Sequence, residues 1–254
     1  MDLQWDFSGK VAMATGAASG MGLLFCQCFA AAGGNVVMTD INMEVLEPLA
    51  AEINAKGAGR AIAVPCDVRS YEQICAARDA GLEAFGRIDV MLNTAGGDEM
   101  RMLNVSGEFA DVDISVYDWS LEVNLRGQFY CAHAVMKPMR EQQSGLIINI
   151  GSISGAEGTG SGIGYATSKS AAMSGLTKSL AQYGSRYGIR CVCVSPGPVL
   201  TRPGMASMKT LMGRAAEPQE IIDLMLYLCT DNAAFITGEN IMIDGGRNAM
   251  RRQS

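Results

Sequence analysis

Seven short apolar runs, KVAMAT, NVVMTD, AIAVPCDV, IDVMLNTAG, GLIINIGS, IRCVCVSPG and ENIMIDGG, recur along the chain and are separated mostly by amphipathic stretches of helix length. Runs that are apolar throughout, instead of alternating, belong to strands buried on both faces, and strands alternating with helices feed a parallel sheet. The pattern predicts an α/β fold: a doubly wound, seven-stranded parallel sheet with helices on both faces. Ligands of such sheets bind beyond the carboxyl ends of the strands. Thr15, Gly16, Asp40, Asp67, Asn93, Ser152 and Pro196 all stand at or just after predicted strand ends, so the fold would gather them on one edge.

No linker, repeat or charge block divides the 254 residues, and residues 1–254 read as a single domain. With 48% apolar and 18% charged residues the chain suits a compact core, and its net charge of −6 argues against a nucleic-acid or anionic-membrane partner. The start, MDLQWDFSGK, lacks a signal-peptide core, and nowhere do about 18 apolar residues run together, so the expected location is the cytoplasm. The eight cysteines are scattered: Cys26, Cys28, Cys131 and Cys229 fall in helical patterns, Cys191 and Cys193 in a strand, and no spacing matches a metal site. They read as small core residues. His133, the single histidine, lies in the helical run FYCAHAVMKPM and reads as a packing residue.

The first apolar run continues as VAMATGAASGMG, with Gly16, Ser19, Gly20, Met21 and Gly22 leading into the helical run LLFCQCFAAAG. Glycines there permit a tight turn and close backbone approach, and the following helix offers free N–H groups to a pyrophosphate. A glycine-rich loop can be no more than a turn, but a strand before it and a helix after it favour a dinucleotide site. Asp40 follows roughly twenty residues on, at the end of the second run, where a carboxylate can accept from the adenosine ribose hydroxyls and repel a 2′-phosphate. Ile41 and Asn42 supply no compensating arginine, and Lys10 and Arg60 are the remaining basic candidates. NAD(H) is therefore expected over NADP(H); the competing reading of Asp40 is a helix cap.

The segment GSISGAEGTGSGIGYATSK holds Ser152, Tyr165 and Lys169. Tyr165 and Lys169 are four apart at the start of a helical stretch, hence on one face, where the cation can stabilise a phenolate and bring the phenol toward working pH. Taken singly, each residue also has an ordinary reading as a turn, interface or surface residue.

TGAASGMG, Asn93-Thr94-Ala95-Gly96, Asn124, Ser152, Tyr165-Ala-Thr-Ser-Lys169 and Pro196-Gly197-Pro198-Val199 together resemble the short-chain dehydrogenase/reductase family of the classical type, over residues from about 8 to 246. The resemblance implies a Rossmann fold and a catalytic tetrad of Asn124, Ser152, Tyr165 and Lys169. In it Tyr165 exchanges the substrate proton, Ser152 orients the substrate oxygen, and Lys169 lowers the tyrosine pKa and holds the nicotinamide ribose. Asn124 anchors a water that relays protons through Lys169. It further implies that Asp67 and Val68 border the adenine, that Asn93, Ala95 and Gly96 lie by the adenosine ribose, and that Pro196, Gly197, Val199 and Thr201 receive the nicotinamide amide. Thr94 departs from the usual second asparagine, which would alter local sheet hydrogen bonds. Helices around 117–141 and 165–187 would pair subunits in a homotetramer, with a dimer second.

Substrate choice belongs to two loops, at about 97–113 and 201–217, the first longer and the second shorter than the family leads one to expect. Met205, Met208 and Met212, at i, i+3 and i+7, form a helical stripe that suits either a bulky apolar substrate or lid packing. The reading is an NAD(H)-dependent oxidoreductase of a secondary alcohol or ketone, without a metal. The candidate substrates are a hydroxysteroid, a polyol, a hydroxyacyl thioester or a small secondary alcohol. Two alternatives stay open: an NADPH-dependent 3-oxoacyl thioester reductase, disfavoured by the acidic chain because its carrier is acidic, and a non-catalytic NAD-binding sensor or scaffold. The tail RNAMRRQS after Gly246 reads as mobile or as reaching a neighbouring subunit.

Overall fold

The computed structural model describes residues 4–250, and in it each of the seven runs forms a strand. These are β1 (Val11–Thr15), β2 (Asn35–Asp40), β3 (Ala61–Pro65), β4 (Val90–Asn93), β5 (Gly145–Ile150), β6 (Ile189–Pro196) and β7 (Asn240–Ile243). They make one sheet in the order β3-β2-β1-β4-β5-β6-β7 with every neighbouring pair parallel. The winding direction reverses between β1 and β4, which opens a crevice at their carboxyl ends.

Continuous apolar strands feed two cores at once, because successive side chains point to opposite faces. In β1, Ala12 and Ala14 pack on one face with Phe25 and Phe29 of α1 (Gly20–Ala31), Leu46 of α2 (Met43–Lys56) and Met225, which lies in the C-terminal helix Pro218–Leu228. Val11 and Met13 pack on the other with Ile74 of α3 (Tyr71–Phe85) and with Cys131 and Val135. The alternating sequence alone could not say which face each helix covers; the right-handed crossovers of a parallel sheet decide it.

The loop at 97–113 contains a four-residue helix, α4 (Glu99–Met102), before α5 (Ile114–Leu121) begins under an Asp113 cap. α5 runs through a widened π-turn (Glu122–Arg126) into α6 (Gly127–Gln142). After α7 (Ile153–Glu157), α8 (Ile163–Ala171) runs through a second π-turn (Ala172–Leu176) into α9 (Thr177–Gly184), and α10 (Pro218–Leu228) precedes β7. A side chain occupies a carbonyl inside each wide turn: Gln128 Nε2 donates to the Asn124 carbonyl at 2.7 Å and Thr177 Oγ1 to the Ala172 carbonyl at 2.7 Å. Such insertions widen a helix locally.

Three expectations need correction. Met205, Met208 and Met212 do not form a stripe, because the only helix there is the 3-10 turn Pro203–Ser207, after which Met208 is extended and Met212 stands 69% exposed. His133 is not packed inside α6; it lies on the exposed face, with Nδ1 2.6 Å from the Tyr71 hydroxyl. The tail begins tied down, since Arg247 pairs with Glu157 at 3.0 Å, while Arg251–Ser254 lie outside the described residues. The cysteines fit the reading given them: all eight are free, and burial pushes the Cys26 and Cys191 thiols up to about 12. Among the described residues no helix is long and apolar enough to cross a membrane.

Candidate active site

The strand register brings the carboxyl ends level: Thr15 lies beside Thr39 and Asn93, Asp40 beside Pro65, Ile150 beside Val194, and Pro196 beside Ile243. The loops that leave this edge carry nearly every residue singled out in the sequence. One open concavity lies at the opposite edge, lined by Lys10, Asp89, Gly145 and Ile189, but none of the tetrad residues reach it. The chemistry belongs to the edge where the titratable groups converge.

Ser152 directly follows β5 and N-caps α7, its Oγ accepting from the Ser154 amide at 3.1 Å. Tyr165 and Lys169 lie one turn apart on α8, with the ammonium 5.5 Å from the centroid of the tyrosine ring. Tyr165 as a residue is partly exposed, but its phenolic end is densely surrounded by protein, and that burial pushes its pKa above the ordinary tyrosine range. A hydrogen bond with Ser152 acts in the opposite sense; Asp98 raises the value further, and Arg202 and Arg101 lower it. Lys169 is buried without a carboxylate and donates to the Ile150 carbonyl at 2.8 Å; burial brings its ammonium down to about 8. Burial is the largest influence on the phenol, which is protonated at neutral pH.

Asn124 sits in the first π-turn, fully buried. Its Oδ1 accepts from the Gly97 amide at 3.0 Å, and its Nδ2 faces the Gly97 carbonyl at 2.9 Å and the Ser120 carbonyl and hydroxyl at 3.1 and 3.2 Å. With both amide hydrogens engaged by protein, the side chain clamps the start of the 97–113 loop.

Glu99 was not singled out in the sequence. It is 0% exposed. Its Oε1 accepts from the Gly164 amide at 2.8 Å, and its Oε2 from the Tyr165 amide at 2.9 Å and the Ser120 hydroxyl at 2.9 Å. An acceptor-only carboxylate thus caps the N-terminus of the helix that carries Tyr165 and Lys169, where the helix dipole favours negative charge. Ser120 joins this cap to the Asn124 clamp.

The glycine loop fits a dinucleotide. A Cβ on Gly22 would lie 2.5 Å from the Gly16 carbonyl oxygen and 2.8 Å from Thr94 Oγ1, so α1 packs backbone to backbone on the turn. Gly20 has φ +57 and open space where a side chain would stand. Ser19 N-caps α1 without a side-chain cap bond, which leaves the first-turn N–H groups, those of Met21 among them, to an external acceptor. Asp40 Oδ2 accepts from the Ala18 amide at 3.1 Å and Oδ1 from the Asn42 amide at 3.0 Å, so the carboxylate is built into this loop as well as facing it; Ile41 beside it is 75% exposed.

Along the rest of the edge, Asp67 and Val68 follow β3, and Asp67 is held by Arg69 at 2.6 Å. Arg69 is the basic residue on this side that the sequence reading passed over. Lys10 and Arg60 precede β1 and β3, at the opposite edge; Lys10 lies 3.9 Å from Asp89, and Arg60 stacks on Phe85. Asn93 is buried and donates to Asn149 Oδ1 at 2.9 Å, while its own Oδ1 lacks a partner. Thr94 Oγ1 donates to the Thr15 carbonyl and Ala95 N to Thr15 Oγ1, which ties the end of β4 to the end of β1. Gly96 lies against Asn124 and Lys169. Pro196 ends β6, Gly197 presses on Asp244, and Val199 is buried, its carbonyl accepting from the Thr201 amide at 2.7 Å.

Residues 16–248 match the family model described as "Enoyl-(Acyl carrier protein) reductase". The chain is similar to a trans-4-hydroxycyclohexanecarboxylate dehydrogenase of Sinomonas cyclohexanicum, 40% identical over 94% of this chain and 93% of the relative. It is also similar to a 3-alpha-(or 20-beta)-hydroxysteroid dehydrogenase of Mycobacterium bovis, 39% identical over 94% and 89%. Among solved structures, a 3-oxoacyl-[acyl-carrier protein] reductase with bound NAD from Brucella melitensis superposes with a TM-score of 0.87 at 28% identity, covering 97% of each chain.

Proposed function

This chain belongs to the short-chain dehydrogenase/reductase family, oxidoreductases of alcohols and ketones that bind a nicotinamide cofactor; from that premise we propose that it is an NAD(H)-dependent dehydrogenase of a cyclic secondary alcohol. The observation that carries the reading is the convergence of Ser152, Tyr165 and Lys169 at the carboxyl edge beside the glycine loop. The ring is suggested by the cyclohexane and steroid alcohols named for the two relatives above. The bound nicotinamide supplies hydride exchange at the carbinol carbon.

Every other step is the chain's own. Ser152 Oγ hydrogen-bonds the substrate oxygen and holds it at Tyr165. The Tyr165 hydroxyl, protonated at neutral pH and held above the ordinary tyrosine range by desolvation, donates its proton to the oxygen formed in ketone reduction; in alcohol oxidation it must first lose that proton, which places optimal oxidation at higher pH than reduction. Lys169, fixed by the Ile150 carbonyl, holds the nicotinamide ribose and adds positive charge near the phenolate as it forms. Asn124 and Glu99 position rather than react: one clamps Gly97, the other the first turn of α8. The glycine loop of Gly16, Ser19, Gly20, Met21 and Gly22 takes the pyrophosphate. Asp40 and Ile41 take the adenosine ribose, and Asp40 disfavours a 2′-phosphate. Asp67, Val68, Asn93, Ala95 and Gly96 border the adenosine, and Pro196, Gly197, Val199 and Thr201 border the nicotinamide amide. The reading includes a single domain, supported by one sheet that takes in all seven strands, a cytoplasmic location and a homotetramer.

The test is NAD reduction with cyclic secondary alcohols, followed by nicotinamide absorbance, in wild type and Tyr165→Phe. Turnover that vanishes with the hydroxyl while NADH binding persists is the expected result. Turnover retained by Tyr165→Phe would remove Tyr165 from the mechanism, and NADH binding with silence on every alcohol would favour the sensor.

A further inference from the structure

One buried amide at the catalytic edge has no part in the reaction described above. Gln128, in the first turn of α6, is 2% exposed. Its Nε2 donates to two carbonyls, that of Asn124 at 2.7 Å and that of Ile150 at 3.2 Å. These bonds fix the orientation of the amide, because a flipped one would set its oxygen against two others. Its own Oε1 is buried without a partner. For packing alone the residue is a poor choice: an orphaned buried oxygen works against folding, and a methionine fills similar space without one. What the amide supplies is its two bonds.

Both bonds end on the machinery around Tyr165. The β4–β5 ladder stops with Asn93 beside Asn149, one residue short of Ile150, and the Ile150 carbonyl accepts from two side chains, Gln128 Nε2 and, at 2.8 Å, Lys169 Nζ. That carbonyl is the seat of the buried ammonium. Ser152 follows two residues later, and between them Gly151 is held from the far side, its amide donating to the Val194 carbonyl at 2.9 Å. On the helix side, Asn124 holds Gly97 with its side chain and Gln128 with its carbonyl. A single NH2 group thus joins the turn that carries Asn124 to the strand end that carries Ser152 and the seat of Lys169.

We propose that Gln128 is a positioning residue of the reaction, setting the Ile150 carbonyl on which the Lys169 ammonium rests. The inference deepens the reading of the same site given above and rests on it. Without the amide the carbonyl is left to one donor, and the ammonium follows whatever orientation the strand end then takes. A displacement near 1 Å of a catalytic group is worth about a hundredfold in rate; Lys169 keeps its own bond to the carbonyl, so the loss here falls nearer tenfold. The titratable groups that face the ammonium are the Tyr165 phenol and the Cys193 thiol, both held above their ordinary range by burial, so neither brings a negative charge to it at neutral pH.

The experiment compares Gln128→Met, which keeps the length and removes both donors, with Gln128→Glu, which keeps the shape and sets a carboxylate beside the carbonyl. Kinetics with NAD and cyclic secondary alcohols are measured well below the unfolding midpoint. In each variant kcat should fall about tenfold while the alcohol KM stays within about twofold, and Tm should fall by roughly 5 °C. A residue that only filled the core would lower Tm and leave the kcat of the folded enzyme unchanged. The second readout needs no turnover: thermal unfolding between pH 8 and 10.5 of proteins with Lys169 and with Lys169→Met, each beside Gln128 and beside Gln128→Glu. Beside Gln128 the lysine protein should gain stability over that range relative to Lys169→Met, because its folded ammonium titrates at about 8; a carboxylate at the same carbonyl raises that value toward the ordinary 10.5, so the gain should shrink or vanish. Wild-type kcat in Gln128→Met, or a gain unchanged by Gln128→Glu, would overturn the inference. Should Gln128→Met fail to fold, Gln128→Glu carries both readouts. Turnover independent of Tyr165 would sink the underlying reaction, whereas turnover that needs Tyr165 but is indifferent to Gln128 would sink this inference alone.

Discussion

Replacing Glu99 should damage catalysis from a distance, through the amide of Tyr165. The carboxylate is fully buried and accepts three hydrogen bonds between 2.8 and 2.9 Å, two of them from the first turn of α8. Truncation to alanine orphans the Gly164 and Tyr165 N–H groups and the Ser120 hydroxyl, each at a cost of about 1–3 kcal/mol, and opens a cavity as well. The charge itself is also expensive to bury, and no cation pairs with it, so the net loss should fall at about 3–5 kcal/mol instead of the full sum. For a chain of this length that is a fall in Tm of roughly 10 °C. Glutamine is the sharper probe. Its oxygen can serve the Tyr165 amide and Ser120, but its NH2 then opposes the Gly164 N–H, so one hydrogen bond becomes a clash of donors, worth about 2 kcal/mol. Freed from its cap, the first turn of α8 shifts, and a displacement near 1 Å of the acid–base group is worth about a hundredfold in rate. The assay pairs calorimetric unfolding of Glu99→Ala, Glu99→Gln and Ser120→Ala with steady-state kinetics over pH. The losses should fall on kcat more than on KM, and Ser120→Ala, which spares both backbone donors, should be mildest. A Glu99→Gln enzyme with wild-type Tm and kcat would refute the reasoning.

Asp40→Ser should raise the ratio of NADP to NAD use by roughly thirtyfold, the equivalent of about 2 kcal/mol for removing one carboxylate charge from beside a 2′-phosphate; an unmoved ratio would shift the discrimination to another group, Arg69 being the basic side chain on that edge. Lys169→Met should change the pH dependence of stability. The folded ammonium titrates at about 8 against an ordinary value of 10.5, so the wild type pays to keep it charged below pH 8, and stability relative to the variant should rise by up to about 3 kcal/mol between pH 8 and 10.5; a flat difference would mean that the amine is not desolvated. Gly22→Ala should cost more NADH affinity than Gly20→Ala. The former drives a Cβ into the Gly16 carbonyl, whereas the latter meets open space and bears only the strain of φ +57, about 1 kcal/mol; calorimetric titration with NADH decides, and the reverse order would mean that the loop does not pack as described.

The sheet was legible because strands covered on both faces write themselves as unbroken apolar runs, and even the four-residue β4 and the half-buried edge strand β7 keep that pattern. The glycine turn and the Tyr165–Lys169 pair were legible for the same kind of reason: each is local, set by spacings that only one geometry satisfies. The methionine stripe failed because a period of 3.6 has meaning only inside a continuous helix, and Pro203 with Gly204 and Gly213 leave this lid one short 3-10 turn. Sequence spacing carried no warning of that.

Glu99 marks a different boundary. In the sequence it is one of two acids in a glycine-rich loop, GGDEM, the pattern of a solvated turn. In the fold its partners are 65 and 66 residues away, and what it binds is backbone N–H, which every residue but proline carries and no sequence can advertise. The lysine pKa escaped for a related reason: whether Lys169 or desolvation controls the phenol depends on how much protein surrounds both, a sum over the whole site. The identities of the reacting groups are thus local information, whereas their acidity and position are properties of the enclosure. The loop that supplies Glu99 and Asp98 to that enclosure opens at Gly97, the residue Asn124 clamps, so the segment that positions Tyr165 is itself held by a second side chain of the site. Inserting a residue between Gly97 and Glu99 should therefore lower kcat, because the Asn124 clamp and the α8 cap hang on the same few residues, Gly97 to Glu99.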